Sequence, residues 1–296
     1  MEEQPFFDLQ SHSTCSDGAL EPAEVVALAA RSGVRLLALP DHDTVGGVAE
    51  ARAAAAGHSI ALVPAAEIST VQGDLGDLHV LGYGLDERNP QLLEVLSLAR
   101  ADRAARAAAM GDALRGLGFQ LDASVLERQR SLGRALGRPH LAAAVTSHPG
   151  NAERLRAERC EETSSFLVAY LTPGAPAFVA RAAPTVVGAI ELIHGAGGLA
   201  VWAHPFWDIH ETPAALAALG RFAEDGLDGV ECFYPAHSEA QTRALHARAQ
   251  ELGLLCTGSG DFHGPRHAHF NAFGKFRTYG LKPQLGRLGE AVGERL

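Results

Sequence analysis

Short apolar runs of the kind that form buried strands recur along the chain, and six of them end in a cluster of histidine or acidic side chains. These runs begin at Phe6, Leu36, Ala61, Leu78, Leu199 and Leu254. One polar ending would only mark the place where a strand stops. In a parallel barrel, however, all strands finish on one rim, so residues from the whole sequence converge there. The repetition therefore predicts a single polar site at that rim.

Segments with a helical pattern separate the first three runs. The first, residues 21–30, has a proline in its first turn and acidic residues near its N-terminus, and Gly33 stops it. The second, from Val48 to Ala56, is rich in alanine and is closed by Gly57. The resulting order of strand, helix, strand, helix and strand predicts parallel strands with right-handed crossovers.

The middle of the chain interrupts this alternation. From Pro90 to about Arg138 the pattern is helical, without a convincing strand, and the alternation resumes at Val186. We therefore predict an α/β barrel formed by residues 1–87 and 185–296. Residues 88–184 would be a helical insertion that caps the substrate.

Composition and charge narrow the functional class. The 296 residues suffice for one barrel with its insertion, and 47% hydrophobic and 20% charged residues are typical of a soluble globular protein. The net charge of −10 disfavours long duplex nucleic acid, although bound cations would still let a short nucleic-acid end approach. The four cysteines form no CxxC pair, and no run approaches about 18 apolar residues. We predict a cytoplasmic protein without signal peptide, membrane span, disulfide framework or thiolate zinc site.

The polar side chains in these runs are of the types that bind metal ions. Imidazole and carboxylate ligands suit Mn²⁺, Zn²⁺ or Fe²⁺. Each cluster alone has a simpler explanation: His12 with Asp17 could be a buried histidine beside an Asp-Gly turn, and residues 41–44 could cap a helix. His79 and His204 could be core histidines whose hydrogen bonds are satisfied.

Two features are harder to explain without a metal. Glu67 follows a continuous apolar run, and a buried unpaired carboxylate is costly unless a cation neutralises it. Asp261 and His263 alternate in an extended segment, so both side chains face the same way. Together the strand ends predict a multinuclear metal site.

The motifs resemble those of the polymerase-and-histidinol-phosphatase (PHP) phosphoesterases. Within that family the fit is best to the branch that contains nucleoside 3′,5′-bisphosphate phosphatases and a 5′→3′ exoribonuclease acting on short RNAs. The matching segments, which extend over nearly the whole chain, are residues 10–18, 41–44, 66–69, 78–83, 137–140, 203–205, 234–237 and 261–264.

This resemblance implies a distorted (β/α)7 barrel that holds two to three divalent ions, with Mn²⁺ favoured, Zn²⁺ or Fe²⁺ as alternatives, and Mg²⁺ after these. It implies a first ion bound by His12, Glu67, Asp261 and the residue at position 10. It implies a second ion that shares Glu67 and adds His79 and His204, and a third ion bound by Asp17, His42 and His263.

Position 10 departs from the family pattern, because this chain has Gln10 where the family has histidine. A neutral amide oxygen is a weaker ligand than imidazole for a late transition metal. The first site could be weakened, could prefer a harder ion, or could belong to an altered or inactive relative. The sequence leaves these three alternatives open.

The resemblance also implies a mechanism in which hydroxide held between two ions attacks the phosphate, while the ions neutralise the charge of the phosphoryl group. The leaving alcohol then needs a proton. His237, which follows a predicted strand, is the candidate donor. The alternative is that His237 is a surface histidine at the start of a helix.

Substrate contacts are expected from Asp43 and from the insertion. Arg134 and Arg138 are four residues apart and would share a helix face if the helix continues there. Arginine suits a second phosphate, and His140 belongs to the same motif; the alternative is that all three are scaffold residues, but the resemblance favours substrate binding. His148 also resembles a metal ligand, but its surroundings are those of the insertion.

The predicted substrate is a nucleoside 3′,5′-bisphosphate that loses its 3′-phosphate, or a short single-stranded oligonucleotide that is trimmed from its 5′ end. One alternative is a small-molecule phosphatase such as histidinol-phosphatase. Another is a nucleotide- or metal-binding homologue whose catalysis is impaired because of Gln10.

Overall fold

The computed structural model describes residues 6–131 and 136–293 and divides the chain into two compact units. The first unit comprises Met1–Ser97 and Ala183–Leu296, and the second comprises Leu98–Ala182. The predicted role of the inserted part as a substrate cap stays a prediction.

The first unit carries the β-strands. Among the described residues these are β1 (Phe7–Asp8), β2 (Leu36–Ala38), β3 (Ala61–Val63), β4 (Ala65–Val71), β5 (Asp77–Tyr83), β6 (Leu199–Trp202), β7 (Gly229–Phe233) and β8 (Leu255–Gly258). The first three strands form a parallel sheet in the order β1-β2-β3. The others form a second sheet in the order β4-β5-β6-β7-β8, in which β6, β7 and β8 are parallel.

Helices connect these strands and build the second unit. In chain order they are α1 (Pro22–Arg31), α2 (Val48–Ala55), α3 (Pro90–Gly116), α4 (Ala123–Ser131), α5 (Arg138–Thr146), α6 (Ala152–Ala157), α7 (Thr163–Leu171), α8 (Val186–Gly195), α9 (Pro205–Asp208), α10 (Thr212–Glu224), α11 (Glu239–Leu252) and α12 (Arg287–Gly293). The two helices predicted in the first part of the chain are confirmed as α1 and α2. The mixed α/β class is therefore confirmed.

One strand overturns the predicted all-parallel order. β5 runs antiparallel to both β4 and β6, with His79 opposite Ser69. The reason is the connection, because β4 and β5 are joined only by a 3-10 turn at Gly73–Leu75, and so short a link reverses the chain. The strand predicted at Ala61 is also divided into β3 and β4. Pro64, which has no amide hydrogen to donate, separates the two.

Isolated bridges join the two sheets on both sides. Ser11 pairs with Phe262, and His42 pairs with Glu67 of β4; both bridges are parallel. They bring together the chain segments that follow β1, β2 and β8, which carry the polar clusters. Because the strands of the described residues fall into two sheets, the continuous (β/α)7 barrel stays a prediction.

Large aromatic side chains fill the core of the first unit. Phe7, Trp202, Phe233 and Tyr83 are at most 1% exposed. The hydroxyl of Tyr83 donates a hydrogen bond to the carbonyl of Leu9 at 2.9 Å, so this ring is buried without losing its polar contact.

Two predictions about the class of protein can be compared with the structure. All four cysteines are free thiols, so the chain has no disulfide framework. Within residues 6–131 and 136–293, no helix combines the length and the apolar character needed to cross a bilayer.

The second unit is helical and has an aromatic core of its own. Phe119, Phe166 and Tyr170 pack with ring centroids 4.8 to 5.1 Å apart. The guanidinium carbon of Arg154 lies 3.9 Å from the ring centroid of Phe119, a cation–π contact. The stretch predicted to be helical from Pro90 to Arg138 contains α3, α4 and the first residue of α5.

Candidate metal centre

Glu67 lies at the centre of a polar cluster in the first unit, where its carboxylate is fully buried on β4. Its Oε1 lies 2.8 Å from His79 Nδ1 and 3.2 Å from His204 Nε2. Its Oε2 lies 3.2 Å from His12 Nε2 and 3.4 Å from His42 Nδ1. Four segments that are far apart in sequence therefore bring their imidazoles to one carboxylate.

Two further carboxylates extend the cluster. Asp261 Oδ1 lies 3.1 Å from His12 Nε2 and 3.6 Å from His263 Nδ1. Asp17 Oδ1 lies 3.4 Å from His263 Nε2, and Asp17 Oδ2 lies 3.6 Å from His42 Nε2. The side chain of Asp17 is 35% exposed, so solvent reaches the cluster on that side.

Two groups of these side chains bring ligand atoms within 4.8 Å of one another. One group consists of His12, Asp17, His42 and His263, and the other consists of His42, Glu67 and His79. Ligands that are about 2 Å from a shared ion have separations of this order. The first group contains the residues expected for the third ion and adds His12. The second resembles the set expected for the second ion, with His42 in place of His204.

The donor set fits divalent metal ions, because it consists of imidazole and carboxylate groups and contains no thiolate. Several of its atoms are buried and make no well-aligned hydrogen bond to any described residue. Among these are His12 Nδ1, His204 Nδ1 and Asp261 Oδ1. A bound cation would satisfy polar atoms that are otherwise costly to bury.

The electrostatics of the cluster favour ionised carboxylates. Burial raises the pKa of Glu67, but the neighbouring imidazoles, first that of His42, lower it well below its usual value. Burial also raises the pKa of Asp261, and the charges and hydrogen bonds of nearby histidines bring it down to about 2. Burial lowers the pKa of His12, but its contacts with Asp261 and Glu67 raise it well above its usual value. Protons and metal ions therefore compete for the same imidazoles.

The backbone turns sharply where several of these side chains leave a strand. Asp43, His204 and Asp261 have φ angles of 53°, 30° and 50°, in the left-handed region. Such a conformation costs a non-glycine residue about 1–3 kcal/mol, so the surrounding structure must hold it. Before Asp261, a Cβ on Gly260 would lie only 2.5 Å from the carbonyl oxygen of Ala272, so the turn needs glycine there.

Two aspartates beside His42 tie neighbouring segments together. Asp41 accepts hydrogen bonds from the Ser13 amide at 2.7 Å and from the hydroxyls of Ser13 and Ser16, both at 2.6 Å. Asp43, expected to contact substrate, accepts bonds from the amide and hydroxyl of Ser69, both at 2.9 Å, and is 1% exposed. The carboxylate of Asp43 is thus engaged within the fold, and its contact with substrate stays a prediction.

Two residues at the cluster were missed by reasoning from the sequence. Glu231, fully buried on β7, accepts hydrogen bonds from the His204 amide at 2.9 Å and the Ser259 hydroxyl at 2.5 Å, and burial raises its pKa to about 8. The Tyr234 hydroxyl donates to Asp261 Oδ2 at 2.8 Å. A single carboxylate inside an otherwise apolar strand was a usable signal for Glu231, as it was for the glutamate of β4. Tyr234 lies in the matching segment 234–237, but that match did not indicate its hydrogen bond to Asp261.

Gln10 is also part of the cluster. Its Nε2 donates a hydrogen bond to Glu67 Oε2 at 3.1 Å, and the side chain is 1% exposed. Its Oε1 is buried and finds no hydrogen-bond partner among the described residues. A buried amide oxygen without a partner is costly, so this atom is available to a cation.

His237 is buried and only 4% exposed, so the alternative explanation as a surface histidine is wrong. Its Nδ1 lies 3.1 Å from the carbonyl oxygen of Cys232, and since a carbonyl only accepts, Nδ1 carries the hydrogen. Burial lowers the pKa of His237 to about 4, so the ring is neutral at pH 7. Its Nε2 then has no proton to give to a leaving alcohol, and the predicted role as proton donor is not favoured by this tautomer.

Arg138 and His140, two of the substrate residues predicted in the insertion, lie at the start of α5, whereas Arg134 lies outside the described residues. Gly137, just before Arg138, is extended, with φ −128° and ψ 176°, so α5 begins at Arg138. The shared helix face of Arg134 and Arg138 stays a prediction. His140 Nδ1 accepts a hydrogen bond from the Gly137 amide at 3.0 Å, and His148 Nδ1 accepts one from a nearby backbone amide at 3.1 Å. Both rings thus help to begin a helical turn.

Comparison with known proteins finds a phosphatase and an exoribonuclease among the proteins similar to this chain. No family model matches the chain. A 3′,5′-nucleoside bisphosphate phosphatase of Chromobacterium violaceum is 34% identical over 259 residues, which cover 87% of each chain. A 5′-3′ exoribonuclease of Haemophilus influenzae is 32% identical over 260 residues, 88% of this chain and 90% of that protein. A solved structure from Bifidobacterium adolescentis, assigned as a metal-dependent phosphoesterase, has a TM-score of 0.75 and 26% identity over 99% of this chain and 98% of that one.

The fold, the cluster of ligand atoms and these relatives define a metal-dependent phosphoesterase, that is, a phosphoric ester hydrolase. The chain belongs to the PHP family. The resemblance found in the sequence is thereby confirmed.

Proposed function

We propose that the protein removes the 3′-phosphate from nucleoside 3′,5′-bisphosphates. The observation that carries this proposal is the convergence of four imidazoles on the buried carboxylate of Glu67, in a chain 34% identical to a phosphatase of that specificity.

The metal ions belong to this proposal in the arrangement that the family resemblance implies. The first ion would be held by Gln10, His12, Glu67 and Asp261, the second by Glu67, His79 and His204, and the third by Asp17, His42 and His263. Divalent ions at such a site lower the pKa of water and neutralise charge on a phosphoryl group. We expect Mn²⁺, with Zn²⁺ or Fe²⁺ as alternatives, because imidazole and carboxylate ligands suit these ions.

The chain's own residues would fix the ligands in place. Tyr234 donates to Asp261 Oδ2 and so leaves Oδ1 as the oxygen that faces His12. Glu231 holds the backbone amide of His204 in its strained turn. Residues that contact metal ligands in this way orient those ligands, and replacing them changes metal affinity by about 10- to 100-fold. The roles of Asp43, Arg134, Arg138 and His140 in binding substrate stay predictions from the resemblance.

A second activity belongs to the same site. The similarity to a 5′-3′ exoribonuclease favours removal of nucleotides from the 5′ end of short single-stranded RNA. We expect no activity on long duplexes, because the net charge of −10 repels them.

A (β/α)7 barrel as the scaffold and a cytoplasmic location are further parts of this proposal.

Phosphate release by the full chain loaded with Mn²⁺ tests the function. We expect adenosine 3′,5′-bisphosphate to be converted to the 5′-monophosphate much faster than histidinol phosphate is hydrolysed, and a 5′-phosphorylated short RNA to be shortened from that end. Preference for histidinol phosphate would identify the alternative phosphatase. Fewer than two bound ions per chain, together with no turnover of any of these substrates, would leave only a binding protein.

A further inference from the structure

A cavity of about 470 Å³ lies in the first unit beside the metal centre. Its lining includes Tyr234, His237, Lys275, Arg277 and Tyr279. Tyr234 connects it to the cluster described above, because the hydroxyl of this ring donates to Asp261 Oδ2. The volume lies in the range of pockets that bind small ligands, which is about 300–1,000 Å³.

Two cations give this cavity a positive charge in a protein whose net charge is −10. Lys275 Nζ donates hydrogen bonds to the His269 carbonyl at 3.2 Å and to Asn271 Oδ1 at 2.9 Å, which hold the ammonium in place and leave one donor. Arg277 is exposed and has no ion-pair partner among the described residues, and none of the lining residues is acidic. A fixed ammonium and an unengaged guanidinium at one cavity are suited to a phosphate group.

His237 adds a hydrogen-bond acceptor to the lining of this cavity. Because its Nδ1 hydrogen is used on the Cys232 carbonyl, Nε2 on the other side of the ring holds a lone pair. This atom is buried and has no hydrogen-bond partner in the part of the chain that the structure describes. A buried acceptor without a donor is costly, so the group that satisfies it must be an O–H or N–H group.

These observations together define the ligand chemistry, namely an anion joined to a hydrogen-bond donor. A phosphorylated ribose has both, since a nucleoside 3′,5′-bisphosphate carries phosphate and a free 2′-hydroxyl. An acidic side chain would satisfy the cations but would leave Nε2 without a donor. Hydrogen phosphate has an O–H group of its own, and it differs from a phosphorylated ribose in having no ribose hydroxyl whose removal would weaken binding.

We propose that this cavity binds the phosphorylated ribose of the substrate, with the phosphate held by Lys275 and Arg277 and a ribose hydroxyl donating to His237 Nε2. This inference rests on the proposed function, in which the substrate is a nucleotide, and it adds a phosphate contact within the first unit. His237 then positions the substrate and does not supply a proton.

Calorimetric titration of the full chain in EDTA with adenosine 5′-monophosphate tests the phosphate contact without the metal ions. We expect Lys275→Gln and Arg277→Gln each to weaken binding by roughly tenfold, because each removes a charge-assisted hydrogen bond. The matched control is Arg221→Gln, an exposed arginine on α10, which should bind like the wild type. Wild-type affinity in both cavity variants, or no binding by the wild type, would overturn the proposal.

The 2′-deoxy and 3′-deoxy forms of the same nucleotide test the hydroxyl contact. The 2′-deoxy form should bind the wild type roughly fivefold more weakly than adenosine 5′-monophosphate, and His237→Phe should abolish this difference. The 3′-deoxy form should bind like the parent nucleotide, because the 3′-oxygen of the proposed substrate carries the phosphate that is removed. If the 2′-deoxy form binds the wild type as tightly as the parent nucleotide, the hydroxyl contact is refuted. This comparison needs only the wild type, so it remains decisive even if His237→Phe fails to fold in a thermal melt.

The binding experiment tests the cavity and the activity assay tests the proposed reaction, so either proposal can be refuted without the other. Nucleotide binding in EDTA that depends on Lys275 and Arg277, together with no phosphate release in Mn²⁺, would refute the proposed reaction and leave the cavity assignment standing. Release of phosphate by the wild type with unaltered KM in both cavity variants would refute the cavity and leave the reaction.

Discussion

At the scale of single residues, Glu67 has the most contacts with other members of the metal cluster. Both of its oxygens lie near two imidazoles, and the pKa of this carboxylate is held well below its usual value. We expect Glu67→Gln to remove at least one ion per chain and to reduce phosphate release by at least roughly 100-fold, because a direct ligand should matter no less than a residue that only orients one.

Metal content by mass spectrometry and phosphate release together check this expectation. Glu239→Gln on α11 is a suitable control, since Glu239 is exposed and pairs only with Arg243 among the contacts described. A Glu67→Gln variant that keeps the wild-type metal content would show that the ions bind elsewhere.

Gln10 tests whether the departure from the family pattern weakens the site. The structure places its side chain against Glu67 with a free carbonyl oxygen. We expect Gln10→His to tighten Zn²⁺ binding by roughly tenfold or more, because imidazole is a stronger ligand than an amide oxygen for a late transition metal. Titration calorimetry of the metal-free protein measures this directly. Weaker binding in the histidine variant would mean that the site is built around the amide.

The sequence was sufficient to identify the candidate metal ligands, but it did not identify the residues that form hydrogen bonds with those ligands. His12, Glu67 and Asp261 could be singled out because imidazoles and carboxylates at the ends of apolar runs are unusual. Tyr234 could not, because its role depends on a hydrogen bond to a residue 27 positions away. The tautomer of His237 likewise depends on a carbonyl that only the folded chain places beside it.

At the scale of elements, the repeated strand pattern predicted which segments are strands but not the direction of all of them. The sequence of β5 has the same apolar character as that of its parallel neighbours, so direction has to be inferred from the connection. The link between β4 and β5 is too short for a crossover helix, and this was the available signal. The metal ligand expected on β5, His79, still reaches Glu67, because side chains across an antiparallel pair are close.

Asp8 shows how a strand end controls the segment that carries Asp261. On β1, its Oδ2 accepts hydrogen bonds from the amides of Gly260 at 2.9 Å and Gly274 at 2.7 Å. Burial outweighs these bonds and raises the pKa of Asp8 from 3.8 to about 7. Because its pKa is higher in the folded state, Asp8 stabilises the fold when its carboxyl group is protonated in the folded state. This stabilisation is complete below about pH 4 and is lost as the pH rises through 7.

We therefore expect Asp8→Asn to lose less stability than the wild type between pH 5 and pH 8. The difference in the free energy of unfolding between the two proteins should shift in favour of the variant by on the order of 2 kcal/mol. Urea unfolding in EDTA at both pH values measures it, with Asp74→Asn, at an exposed position, as the control. A difference that does not change with pH would show that Asp8 is ionised throughout this range.

At the scale of the whole molecule, the metal centre should exchange protons for ions. Contacts with carboxylates raise the pKa values of His12 and His204 well above the usual value, although burial alone would lower them. At pH 7 an arriving ion must displace these protons, so affinity should fall as the pH falls, by roughly tenfold per unit for each proton released. Calorimetry with Mn²⁺ in PIPES and in Tris, buffers with different ionisation enthalpies, counts the protons. Equal binding enthalpies in the two buffers would contradict this exchange.

The two groups of ligand atoms also differ in how much of the chain each requires. His42, Glu67 and His79 all lie within residues 42–79, whereas the other group needs residues from His12 to His263. The antiparallel pair β4–β5 closes only a short loop, which costs little entropy. A chain leaving the ribosome has therefore completed one group long before the other has its last member. A nascent chain that ends after β5 contains every ligand of the group formed by His42, Glu67 and His79, whereas the other group is incomplete until His263 has been synthesised.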